Sequence, residues 1–342
     1  LHSGDNTVTA CGATILDAEG LVLSAEEKAF FRQADPFGFI LFARNIDSAD
    51  QTRALCAELR EAVGRNCLIT IDQEGGRVQR LRSPLARDWM SPLDHVTQAG
   101  AQAERAMYLR YRLIAQELLD LGIDSNCAPV GDLVTSDTHD FLKNRCYGDS
   151  LAQVISLARV TAQAHLDGGV LPVLKHIPGH GRATVDSHKD LPFVSAPLDT
   201  LRAQDFAVFE QLNDLPIGMT AHLVYGALDA LPATISKSVM AMIRNEIGFD
   251  GLMMTDDISM KALSGTPAQN AAAAREAGCD LVLYCNATLS DRRAVAEAAG
   301  AMDAAGLARA EAALAQRQSP SPLDTAAAEA ELTALMGGKV YV

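Results

Sequence analysis

Eight short apolar or β-branched runs, each bounded by Gly, Asp or Asn, recur along the chain and alternate with stretches of helical periodicity. The runs cover residues 11–20, 38–45, 67–76, 123–133, 170–181, 217–226, 252–259 and 279–286. Between them, residues 48–64, 103–122 and 150–169 place apolar side chains at three-to-four spacing behind a polar residue suited to cap a helix. Near-continuous apolar strands alternating with helices predict parallel β-structure buried on both faces. Eight such units suit a (β/α)8 barrel, a fold that takes about 250 residues. A doubly wound open sheet is the competing arrangement, but neither G-x-G-x-x-G after the first run nor G-x-x-x-x-G-K-[ST] occurs. The expectation is therefore an α/β chain forming a single-domain TIM barrel over residues 1–342, with the alanine-rich segment after about residue 287 supplying packing helices broken at residues 319–322.

Composition narrows the function classes. With 43 acids against 29 bases the formal charge is −14, so the overall field repels polyanions and nucleic acid is not an expected partner. No apolar tract reaches membrane-spanning length, and the opening LHSGDNTVTA has neither the basic nor the apolar segment of a secretory signal. The seven cysteines are scattered and lack a C-x-x-C pair, which reads as reduced core thiols in a cytoplasmic protein rather than a disulfide framework or zinc knuckle. No cofactor is expected, and a monomer is the favoured assembly.

Polar residues gather where such a barrel places its chemistry, at the C-terminal ends of strands. Asp72, Gln73 and Glu74 end the third run, Lys175 and His176 the fifth, His222 the sixth, Asp256 and Asp257 the seventh, and Asn286 the eighth. Each alone is explicable as a turn or cap residue; the recurrence points to a site. His222 reads as a support for Asp256 or as a packed core histidine.

Residues 175–192, KHIPGHGRATVDSHKDLP, hold three of the eight histidines. A zinc site would use His176, His180, Asp186 and His188, yet Pro178, Gly179 and Gly181 forbid the helix on which H-x-x-x-H binds metal well. A phosphate nest around Gly179–Arg182 lacks a following helix start. In the third reading Asp186, one residue removed from His188, orients its imidazole and favours the cation, giving a proton donor at neutral pH. The alternative to all three is a surface loop hydrogen-bonded to itself. Here His180 reads as a loop-stabilising hydrogen bonder, and Arg77 of the third run's loop as a solvated or ion-paired side chain.

KHIPGHGRATVDSHKDLP resembles the K-H-F-P-G-H-G…D-S-H segment of bacterial family 3 β-N-acetylhexosaminidases of the NagZ type. DQEGGRVQRL (72–81) and MTDDISMKAL (254–263) resemble that family's other two signatures, in the same order. The resemblance runs from about residue 10 to about 290, with Ile177 in place of the usual aromatic and RATV in the variable loop. It implies a retaining glycosidase that removes terminal β-linked N-acetylglucosamine from peptidoglycan fragments, the GlcNAc-1,6-anhydroMurNAc peptides of cell-wall recycling, and no metal site is expected. By motif, Asp256 matches the nucleophile, His188 the general acid/base and Asp186 its orienting partner. Asp72, Arg80, Lys175 and His176 match residues gripping the terminal sugar, as does Arg145 in FLKNRCYGDS. A phosphorylase of the same family and a non-catalytic sugar-binding barrel are the alternative readings.

Overall fold

A computed structural model describes residues 10–185 and 191–342. Each of the eight runs contributes one barrel strand: β1 (Gly12–Leu16), β2 (Pro36–Leu41), β3 (Leu68–Ile71), β4 (Ser125–Asn126), β5 (Leu171–Ile177), β6 (Ile217–Thr220), β7 (Leu252–Met254) and β8 (Val282–Tyr284). Hydrogen-bonded neighbours are parallel and run β8-β1-β2-β3 and β7-β6-β5-β4. Two seams join these halves. Asp124 N–H donates to the Ile69 carbonyl (3.1 Å) and Cys127 N–H to that of Ile71 (2.8 Å), linking β3 to β4. On the other side Met254 bridges Leu281 and Thr255 N–H reaches the Leu281 carbonyl at 3.0 Å. The sheet thus closes on itself through the pairing of β1 with β8, Leu16 opposite Tyr284. All seven residues of β5 are buried, as expected of a strand covered on one side by helices and packed on the other against the barrel interior.

The helices begin and end where local chemistry dictates. Ser48 caps Ala49–Val63 by accepting from Gln51 N–H, and Gly64 ends it in the left-handed region. Helices Ala103–Asp120 and Leu151–Asp167 fill the other two predicted stretches and pack on each other. β4 is shorter than its run because Pro129 has no N–H to give the ladder. The chain nevertheless follows β5 as far as Gly131, whose N–H donates to the Lys175 carbonyl at 2.7 Å, while Lys175 N–H donates back to the Pro129 carbonyl at 3.0 Å.

Beyond β8 the chain forms helices Leu289–Ala299, Ala304–Ala315 and Thr325–Leu335. They bind residues that precede strands: Arg309 grips Asp280 at 2.6 Å, Arg317 pairs with Asp124, and Met302 N–H donates to the Cys11 carbonyl at 3.0 Å. This segment therefore covers the N-terminal end of the barrel and leaves the C-terminal end open. No helix among the described residues is long and apolar enough to cross a membrane.

Candidate active site

At the open end lies a cavity of about 250 Å³, lined among others by Phe42, Asp72, Arg80, Arg145, Lys175, His176, His180, Asp256 and Asn286. It is smaller than the roughly 300–1,000 Å³ of pockets for drug-sized ligands. That size suits one sugar ring rather than an oligosaccharide.

One wall is an ion cluster drawn from three places in the chain. Lys175 Nζ, on β5 and 1% exposed, lies 3.0 Å from Asp72 and 2.6 Å from Glu74. Asp72 also meets Arg80 at 2.9 Å, and Glu74 takes two hydrogen bonds from Arg145, 2.9 and 2.7 Å. Burial alone would raise both carboxylate pKa values; the adjoining cations override it, holding Asp72 far below the usual range and Glu74 down to about 2. Burial likewise opposes the Lys175 charge, and the two carboxylates overcome it and push that pKa up. All these groups are ionised at neutral pH, so the cavity wall presents fixed charges and donors to sugar hydroxyls.

The loop carrying Asp72, Glu74 and Arg80 is shaped by its own sequence. Gln73 Oε1 accepts from Arg80 and Leu81 N–H at 3.0 Å each, folding residues 73–79 into a small hairpin. Asn126 of β4 ties that hairpin down through the Gln73 backbone, 2.9 and 3.1 Å. Gly75 has φ of 106°, and a Cβ there would run into the buried Arg110 guanidinium, which donates to the Glu74 and Met90 carbonyls.

A second wall is organised by Asp132, which the sequence reading did not single out. Its carboxylate accepts from His176 Nδ1 at 2.7 Å and from the backbone N–H of His180 at 2.6 Å. Burial pulls the Asp132 pKa up, but the two histidines and these bonds leave it lowered. An anionic Asp132 holds the proton of His176 on Nδ1 and so fixes which face of the ring the cavity meets. The loop after β5 packs closely against this segment: a Cβ on Gly181 would collide with the Leu133 carbonyl.

Asp256 follows β7 directly and faces the cavity. Residues on both sides of it are tied to β8, since Leu283 N–H donates to Thr255 Oγ1 at 2.9 Å and Ile258 N–H to the Leu283 carbonyl at 3.1 Å. Asp257 N–H donates to Asp256 Oδ1 at 2.8 Å. Burial raises the pKa of neighbouring Asp257, whose carboxyl instead accepts from Ser259.

The structure thus brings Asp72, Arg80, Arg145, Lys175, His176 and Asp256 to one cavity. Asp186 and His188 lie outside the described residues, and with them half of the zinc set weighed from the sequence; His176 Nδ1 of that set is engaged by Asp132. Arg145 lines the cavity with its guanidinium fork held by Glu74. Arg77 is not simply solvated: it donates to the Phe141 carbonyl and stacks on the Phe141 ring, 3.7 Å to the centroid. His222 is buried and bonds Thr234 Oγ1 (2.7 Å) and the Asp257 carbonyl (3.0 Å), so it supports the residue after Asp256. His180 steadies its loop through the backbone only.

The chain is similar to known proteins over most of its length. Residues 16–318 match the glycosyl hydrolase family 3 N-terminal domain. A beta-hexosaminidase of Alkalilimnicola ehrlichii is 38% identical over 285 residues, 80% of this chain and 81% of its own. NagZ from Neisseria gonorrhoeae, in complex with N-trifluoroacetyl-D-glucosamine, shares the fold at a TM-score of 0.81 and 30% identity, covering 96% of each chain. A family 3 beta-N-acetylglucosaminidase from Paenibacillus sp. str. FPU-7 gives a TM-score of 0.75 at 29% identity over 95% of this chain and 61% of that one. A closed eight-stranded barrel with a charged sugar-sized cavity at its C-terminal end, together with these matches, makes the chain a glycoside hydrolase that belongs to glycosyl hydrolase family 3.

Proposed function

We propose that the chain is a retaining β-N-acetylglucosaminidase that removes terminal β-linked N-acetylglucosamine, acting on GlcNAc-1,6-anhydroMurNAc peptides released from peptidoglycan. The observation that carries the reading is the placement of Asp256 in the same cavity as Asp72, Arg80, Lys175 and His176, with room for one sugar unit. The names of the relatives, beta-hexosaminidase and NagZ, support the N-acetylated sugar as substrate.

In this reading the ion cluster fixes the ring through its hydroxyls and sets the anomeric carbon over Asp256. The carboxylate attacks that carbon, forming a C1–O bond as the glycosidic bond breaks. The departing oxygen keeps the bonding electron pair and takes a proton from His188, oriented by Asp186. Water then attacks the same carbon, gives its proton to His188 and releases Asp256. A histidine suits both halves, because its ordinary pKa lies near neutrality and its neutral form does not repel the nucleophile.

The test is release of the aryl group from a chromogenic β-N-acetylglucosaminide, in chelator and without phosphate, by wild type and by Asp256→Ala. Turnover in the wild type alone is expected. Release that requires phosphate, or that is lost in chelator and restored by zinc, would replace the reading. His188→Ala is expected to slow poor leaving groups more than good ones; equal slowing would remove His188 from the acid role.

A further inference from the structure

His180 differs from the other residues around the cavity. It is 6% exposed and lines the cavity wall, its ring tilted against that of His176 with centroids 5.4 Å apart. Its backbone N–H is used by Asp132, but neither ring nitrogen has a hydrogen-bond partner among the described residues, and Nδ1 is fully shielded. Buried polar nitrogens nearly always find partners, because an unmet donor is costly to bury. Burial, and then the neighbouring His176, drive the His180 pKa down to about 4, so at neutral pH the ring holds one N–H and one bare lone pair. An unmet acceptor is better tolerated than an unmet donor. The shielded Nδ1 therefore keeps the lone pair and Nε2 carries the proton. Among the described residues nothing accepts from it.

We propose that His180 is a specificity-determining residue that donates its Nε2–H to the carbonyl oxygen of the acetamido group next to the reacting carbon. The inference rests on the reading of the preceding subsection. Two observations select this group over a hydroxyl. Asp72, Lys175 and Arg80 form a separate wall whose carboxylate and cations already suit hydroxyls, which both donate and accept. His180 instead lines the same cavity as the nucleophile Asp256 without belonging to that ion cluster, and the substituent flanking the anomeric carbon is the one at C2. An amide carbonyl accepts only, and a neutral imidazole N–H matches it. A site built around such a bond rejects the analogue that lacks it more strongly than a purely apolar pocket does.

The experiment compares wild type with His180→Phe, which keeps a ring and loses the donor, and His180→Asn, which keeps a shorter donor. The backbone N–H to Asp132 survives in both. The readouts are kcat/KM on the aryl β-N-acetylglucosaminide and the inhibition constants of N-acetylglucosamine and of glucosamine, which has no carbonyl at C2. His180→Phe is expected to weaken N-acetylglucosamine by about tenfold to a hundredfold, with a matching fall in kcat/KM, and to change glucosamine by less than about threefold. His180→Asn recovers part of the loss. His180→Leu repeats the comparison if phenylalanine does not fit. An active wild type whose donor-free variants lose both sugars equally, or neither, overturns the inference and leaves the proposed function standing. A wild type inert on the glycoside and uninhibited by N-acetylglucosamine removes that function, and this inference with it.

Discussion

Replacing Lys175 by methionine tests the ion cluster directly. The change keeps the length of the buried stem and removes one cation from two carboxylates, 3.0 and 2.6 Å away. Taking one partner from a buried pair costs about 3–5 kcal/mol, because the remaining charge stays out of water. The low end applies here, since Asp72 retains Arg80 and Glu74 retains both bonds from Arg145. An unfolding entropy of about 2.1 cal/mol/K per residue over 342 residues is about 0.7 kcal/mol/K. A loss of about 3 kcal/mol then lowers Tm by about 4 °C. The pH dependence has a definite sign. Folded-state pKa values of Asp72 and Glu74 lie below their ordinary ones, so their contribution is complete above about pH 5 and disappears as the pH falls through the folded values, about 2 for Glu74. Without Lys175 the burial of each carboxylate is less opposed, its folded pKa rises, and acid unfolding starts at higher pH. Thermal melts at pH 7 and an acid titration followed by circular dichroism read both effects. A variant that melts within about 1 °C of wild type and shares its acid midpoint would refute the reasoning.

Two further outcomes follow from the geometry. Asp132→Asn removes the charge that keeps the His176 proton on Nδ1; steady-state kinetics are expected to show a fall of about tenfold to a hundredfold in kcat/KM, and an unchanged value would separate His176 orientation from function. All seven cysteines are free and buried, and burial raises their thiol pKa values, to about 12 for Cys56, Cys67, Cys127 and Cys279. A disulfide reagent at pH 8 is expected to label none in the native protein and all seven in denaturant; rapid native labelling would contradict the burial.

The barrel was legible because its signal is repetitive. A run such as residues 170–181 is apolar on both faces only if both faces are covered, and eight repetitions leave few other arrangements. The limits of individual strands were less legible, as β4 shows: the apolar pattern continues through residue 133, and Pro129 removes the ladder bond that would make it a strand. Within the site, Asp72, Lys175, His176 and Asp256 were readable as polar residues at strand ends. Partnerships were not readable. Glu74 and Arg145 are 71 positions apart, and nothing local reveals that one fills the fork of the other. Asp132 stands inside the fourth run, just after Gly131, where an acid among apolar residues is itself a signal. The sequence suggests His180 as a loop hydrogen bonder; its backbone N–H does that work, and its ring has no such bond among the described residues.

The pairing of β1 with β8 has a kinetic side. Asp17, just past β1, accepts from Asn286 N–H and from Arg292 Nε at 2.7 Å each, across 269 and 275 positions of sequence. Contacts of such separation are the slowest to form, because the entropy of joining distant segments is lost before any bond repays it. Helices and neighbouring strand pairs can form earlier from local contacts. Asn286 and Cys285 line the cavity, so its wall is complete only after the first and last strands have met. Regain of activity during refolding should therefore trail the regain of helical signal, and serves as a clock for the closing of the ring.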